Sequence, residues 1–200
     1  MISLGTSILC SQYIGAGRRD KVVQVVGISL LFNLISGVII SLALTNFAGN
    51  ILMLMGLRPD LMAEGLPYMK IVGGFAFLQA ISLSLSASLR SADKAQYPMY
   101  VAIVVNILNI IGNYSLIFGK FGMPALGVEG AAISTSVCRF VSVVILLVVL
   151  FKKHIPSFPK ELFTPFPWIE LKNLLKIGIP SAGEHFSYSL SQVVISYFIN

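Results

Sequence analysis

The sequence predicts an all-α integral membrane protein, a polytopic bundle of helices, and three observations predict it. Residues 22–57 run for 36 positions without one ionisable side chain. Only 11% of the chain is charged while 56% is hydrophobic, against about a quarter charged in an ordinary soluble domain. The charges that remain are gathered into short loops that alternate between strongly basic and nearly neutral. The charge deficit, more than the apolar excess, excludes an ordinary soluble fold. A transmembrane barrel would show strands of ~10 residues alternating apolar with polar side chains. Unbroken apolar runs such as residues 141–151 do not alternate, so the spanning elements are helices.

Taken in order, residues 1–14 are apolar but too short to cross a bilayer, and no basic stretch precedes them as a signal peptide would require. They read as the cytoplasmic half of a spanning helix. A loop over residues 15–21 follows, with Arg18, Arg19 and Lys21. The long uncharged run then supplies a helix that ends near Leu44 or Asn46, leaving residues 47–57 as an apolar, interfacial segment on the outer side. The second loop, about residues 46–70, holds Arg58 and Lys70 against Asp60 and Glu64. Residues 71–89, 95–119, 126–151 and 177–200 are the remaining spans. Each is near or above the ~20 residues that cross a ~30 Å hydrocarbon core as helix. The third loop, residues 90–96, carries Arg90 and Lys94, and the fourth, residues 119–127, Lys120 alone. The fifth, residues 152–176, is long, basic and proline-rich, with Trp168 placed for the headgroup level and residues 169–176 patterned to lie along the interface. The expectation is five full or nearly full transmembrane helices plus a half-helix at the N-terminus, an incomplete bundle cut from a longer protein. It divides into a partial first lobe (1–151), a connector (152–176) and the start of a second lobe (177–200).

Odd loops hold ten Lys and Arg, even loops three, and Arg139 is left inside a span. Counting Lys and Arg places the basic loops (15–21, 90–96 and 152–176) in the cytoplasm. The net charge of +6 is therefore a topology signal, and no motif for nucleic acid accompanies it. Cys10 and Cys138 both lie in apolar segments, as small hydrophobes rather than a disulfide or metal pair.

Function has to be read from the polar residues that lipid should have excluded. Side chains three and four apart share a helix face, and polar ones inside a membrane turn toward the bundle interior or a wet path. Asn106, Asn109 and Asn113 form such a stripe, as do Gln79, Ser82 and Ser86, and Ser29, Asn33, Ser36 and Gly37. For the serines the plain reading is interhelical hydrogen bonding. Three amides in eight residues exceed what packing needs and mark an ion or substrate path. Gly73, Ala76, Ala80, Ser84 and Ala87, and Gly130 with Ser134, are packing stripes. Arg139 sits mid-span, where a charge costs ~3 kcal/mol on insertion scales. It requires a partner, such as a helix-end carbonyl or an acid, and reads as structural.

The last span carries Ser181, Glu184, His185, Tyr188 and Gln192 at helical spacing behind Gly178 and Pro180. Burial disfavours the charged form of a carboxyl group, which would let a buried Glu184 exchange a proton near neutral pH and couple transport to H⁺, or to Na⁺ competing for the same oxygens. The plainer alternative is a solvated Glu near the membrane edge. No acid cluster or histidine box of an intramembrane enzyme is present, and Ser191 and His185 are six apart, off one face; the chain does not read as an enzyme.

Several short motifs carry a resemblance. C-S-Q-Y-I-G-A-G at residues 10–17, L-R-S-A-D at 89–93, N-I-I-G-N-Y-S-L-I-F-G at 109–119, G-M-P-A-L-G-V-E-G-A-A at 122–132 and G-I-P at 178–180 resemble, in that order, conserved stretches of multidrug and toxic compound extrusion (MATE) transporters. The resemblance implies a fragment running from the end of the second helix through the seventh. The whole protein would hold twelve helices in two pseudo-symmetric bundles and work as a monomer in the plasma (inner) membrane. It would export cationic or amphipathic small molecules by alternating access, driven by Na⁺ or H⁺ entry, with the lipid bilayer as its only other partner and no cofactor. Glu184 is the one candidate for the coupling acid of the seventh helix. The alternatives are a lipid-linked oligosaccharide flippase of the same superfamily, for which the buried charges are too sparse and mixed, and a structural membrane subunit without transport.

Overall fold

Long apolar segments dominate the sequence, and the computed structural model, which describes residues 2–92, 94–153 and 168–199, folds them as helices. They are α1 (Ile2–Gly15), α2 (Arg19–Asn46), α3 (Ala48–Leu54), a single 3₁₀ turn (Pro59–Leu61), α4 (Met62–Gly74), α5 (Ala76–Ser91), α6 (Gln96–Phe118), α7 (Gly127–Lys153) and α8 (Trp168–Ile199). No strand occurs among the described residues. Stretches Asp20–Asn46, Gln96–Phe118 and Gly127–Lys152 are each long and apolar enough to cross a membrane, and α4 with α5 passes the same test when the bent pair is taken as one span. The fold is an all-α, multi-pass membrane bundle.

At the end of α2 the Phe47 N–H donates to the Ala43 carbonyl at 2.9 Å, one of the last carbonyls that have no partner within a helix. Thr45 Oγ1 folds back on the Ser41 carbonyl at 2.9 Å and Asn46 Nδ2 on the Leu42 carbonyl at 2.7 Å. The chain turns at Phe47, and the short α3 lies back toward α4.

α6 packs along α7, and α2 along α5, with α1 against both α2 and α5. The first pair meets at small residues. A Cβ added at Gly130 of α7 would stand 2.5 Å from the Leu116 carbonyl oxygen of α6, so only glycine permits this approach. The buried cluster runs through Leu9, Val25, Leu85, Leu89, Leu146 and Leu174, joining α1, α2, α5, α7 and α8.

Three expectations are corrected. The second loop is not a loop through residue 70: α3 and the first half of α4 occupy it, and Lys70 lies on α4. Charges are tolerated at the outer end of a helix, and Glu64 in the first turn of α4 also complements the helix dipole. The span over residues 71–89 is not one straight helix. It begins earlier and bends by 43° between α4 and α5, at Phe75 after the Gly73–Gly74 pair, where weak helix propensity and a close approach to Leu44 coincide. Residues 169–176 are not a separate interfacial helix; they are the first turns of the 32-residue α8, which continues past Gly178 and Pro180. Leu174 is fully buried and Glu170 nearly so, which ties this end of α8 to α1 and α2. Residues 154–167 of the expected connector lie outside the described residues.

Candidate functional site

Of the amide stripe on α6, the half-buried members form a pair. Asn113 Nδ2 donates to Asn109 Oδ1 at 3.0 Å, and Ser134 Oγ of α7 donates to the Asn109 carbonyl at 3.5 Å. The Oδ1 of Asn113 is buried and meets no donor among the described residues. An amide oxygen without a donor is a ligand atom for a hard cation or an acceptor for a polar substrate group. Asn106, one turn earlier, is exposed, as is Gln79 on α5. Both point away from the helices described here. Ser82 of the Gln79 stripe does turn inward and shares a hydrogen bond with Ser142 of α7 at 3.2 Å.

On α8 the structure separates two halves. The first half packs on α1 and α2: a Cβ at Gly5 would lie 3.1 Å from the Leu174 carbonyl. The described side chains of the second half are mostly exposed. Glu184, Tyr188 and Gln192 are exposed, and Ser181 is half-buried with its Oγ donating to the Ile177 carbonyl at 3.1 Å. The described helices do not supply the burial expected of Glu184. The side chain of His185 lies outside the described residues.

Arg139 finds the helix-end carbonyl that its position demands. Its Nη1 donates to the Val72 carbonyl at 3.4 Å, in the last turn of α4 and at the bend that leads into α5. A cation there complements the negative end of the α4 dipole and takes a carbonyl that the bend frees. Arg139 thus joins α7 to the broken span.

Two polar groupings were missed by sequence reasoning. The first crosses α1, α2 and α5. Thr6 Oγ1 donates to Ser29 Oγ at 2.6 Å, Ser29 Oγ to Ser84 Oγ at 3.4 Å, and Asn33 Nδ2 donates to Ser84 Oγ. Ser29 and Asn33 stood on a recognised stripe; Ser84 had been placed among packing residues and Thr6 in the short first segment. The second ties three helix ends together. Glu170 of α8 accepts from the Tyr13 hydroxyl at 2.6 Å and pairs with Lys21 at 3.0 Å. Burial pushes its carboxyl pKa up, but the donors on Tyr13, Lys21 and Asn173 and the Lys21 charge outweigh it and hold the group below its ordinary value. One signal was available: Glu170, Leu174 and Gly178 recur every fourth residue, so an acid sits in line with the apolar face.

A family model described as MatE matches residues 1–115. A protein named "Uncharacterized transporter YisQ" from Bacillus subtilis is 39% identical over 199 residues, covering 99% of this chain and 44% of that protein. "Probable multidrug resistance protein NorM" from Thermotoga maritima is 35% identical over 188 residues, covering 94% and 40%. A solved structure described as "Crystal structure of MATE in the bent conformation" superposes with a TM-score of 0.84 at 24% identity, over 96% of this chain and 42% of that one; this likeness concerns the fold. The chain spans about two fifths of the length of the curated relatives it matches.

Proposed function

The chain belongs to the MatE family, and from that premise we propose that the whole protein is a secondary active transporter. It exports cationic or amphipathic small molecules by alternating access in exchange for Na⁺ or H⁺. It sits in the plasma (inner) membrane, with the basic loops at residues 15–21, 90–96 and 152–176 in the cytoplasm, and acts as a monomer.

The observation that carries this reading is the Asn109–Asn113 pair. Its Asn113 Oδ1 is buried without a donor among the described residues, in a bundle where other buried side-chain oxygens are satisfied by neighbouring helices. An unmatched acceptor inside a membrane is costly, and a coupling ion or a polar substrate group would offset that cost during transport. Asn106 and Gln79 extend the path on faces that the described helices leave open. On α8, Glu184 offers the charge that exchange with Na⁺ or H⁺ requires. Ser181, His185, Tyr188 and Gln192 stand along the same helix at its spacing.

The test uses the whole protein in proteoliposomes, with a Na⁺ or pH gradient and a fluorescent organic cation. Glu184→Gln is expected to abolish gradient-driven export with expression unchanged, and Asn113→Leu to reduce it at least about tenfold, the equivalent of ~1.4 kcal/mol. Unchanged gradient-driven export in both variants would overturn the proposal.

A further inference from the structure

The side of the bundle where α2 ends and α6 ends carries large apolar side chains that are mostly exposed among the described residues. Crossing by crossing, α2, the bent α4–α5 pair and α6 alternate, so the α2–α4 and α6–α7 connections lie on one side. In the first connection α3 turns one face to α4: Leu52 and Leu57 pack at Gly65. Its tip does the opposite. Met53, Leu54 and Met55 follow one another, and Leu54 is 91% exposed. Three residues later the chain becomes charged, with an exposed Arg58–Asp60 pair at 2.8 Å.

The second connection repeats the arrangement with an aromatic. Phe121 holds φ +56°, the left-handed region that side chains rarely adopt, and its ring is 81% exposed. It meets Tyr114 edge-on at 6.4 Å, and Tyr114 in turn meets Phe118 at 5.8 Å. The row of rings continues the outer surface of α6 beyond its last turn, with exposed Lys120 beside it. Both features are apolar, both are continuous with the apolar surface of spanning helices, and both are followed or flanked by charge within a few residues. That profile matches the boundary between headgroups and acyl chains, where aromatic rings and apolar tips are accommodated and nearby cations reach the phosphates.

We propose that the tip of α3 and the Phe121 turn are two lipid anchors that dip into the headgroup–acyl boundary of the leaflet on that side, and that their partner is the phospholipid bilayer. Neither belongs to the transport path; together they hold the outer ends of α2, α4, α6 and α7 at a set depth.

The experiment reads depth. The whole protein, with every native cysteine, Cys10 and Cys138 among them, replaced by alanine and an environment-sensitive dye on Leu54→Cys, is placed in phosphatidylcholine vesicles. Brominated lipids carry the bromine near either the carbonyl or the methyl end of the acyl chain, and iodide is the aqueous quencher. The carbonyl-end bromine is expected to quench at least about twice as well as the methyl-end one, with iodide quenching well below that of the same dye on Asp60→Cys. Phe121→Trp in a background with every native tryptophan, Trp168 among them, replaced by phenylalanine gives an independent reading, expected to show blue-shifted emission and the same bromine preference. Full iodide quenching without bromine quenching would place the anchors in water. Quenching by neither would mean that protein covers them. Either result overturns the proposal.

Discussion

Replacing Glu170 by glutamine tests whether the junction of α1, α2 and α8 is held by charge. The variant keeps the shape of the side chain and removes its charge. Glu170 is 3% exposed while Lys21 is 34% exposed, so the two partners lose different amounts. Lys21 turns to water, and its share is discounted as a part-exposed pair, ~0.5 kcal/mol. The Tyr13 hydroxyl, 2.6 Å from Oε2, donates to a charged acceptor. Such a bond contributes ~1.5–3 kcal/mol, against ~1 kcal/mol for a neutral one, so conversion loses about 1.5 kcal/mol. The sum is about 2 kcal/mol, near a 30-fold shift in the opening of the junction. Hydrogen exchange on the first turns of α8 in the whole protein, reconstituted in nanodiscs, reads that shift. Tyr13→Phe combined with Glu170→Gln should lose ~1 kcal/mol less than the sum of the single variants, because they share a bond. The pH dependence has a defined sign. The folded-state pKa of Glu170 is lowered, so its contribution is complete above the unfolded value of about 4.3 and is lost as pH falls through the lower folded value. Exchange at the junction should therefore be flat from neutral pH down to about 5 and rise only below about 4. Glu170→Gln within about 0.5 kcal/mol of wild type, or Lys21→Met costing more than Glu170→Gln, would refute the reasoning.

Two further outcomes follow from the packing. Gly130→Ala should destabilise the α6–α7 contact by about 2–3 kcal/mol, because the new Cβ meets backbone at 2.5 Å rather than a flexible side-chain end; Gly183→Ala, with nothing within 4 Å, is the control, and thermal unfolding in detergent should separate them. Ser84→Ala removes the shared partner of Ser29 and Asn33 and should cost about 1 kcal/mol at the usual worth of an interhelical bond in a membrane, measured by the same unfolding assay; a neutral result would mean that those side chains re-pair.

Much of the fold was legible because lipid enforces a simple rule. A segment that crosses must be long, apolar and internally hydrogen-bonded, and residues 22–44, 95–119 and 126–151 announce themselves on that ground alone. The bend at Phe75 was not legible. Gly73 and Gly74 are common in straight membrane helices too, and the close approach of Leu44 at Gly73 and the Val72 carbonyl taken by Arg139 are seen only in the structure. The continuity of α8 through Pro180 was hidden for the opposite reason: the proline suggested a start, but contacts made ten residues earlier by Glu170 had already begun the helix.

The candidate site divides in the same way. Spacing alone put Asn106, Asn109 and Asn113 on one stripe and Glu184, Tyr188 and Gln192 on another, because 3.6 residues per turn is a local property. Which members are used was decided in three dimensions. Asn109 and Asn113 are half-buried and bond each other while Asn106 is exposed, and Ser84 rather than Ser86 receives Asn33. Sequence by itself determined the solvent, the helices and the stripes, since these depend on composition and local geometry. Tertiary structure alone decided where a span bends, which polar atoms meet, and which partners Glu170 ties together, since these depend on close approaches between segments up to 157 positions apart, and local spacing can place a residue on a face without naming what it meets.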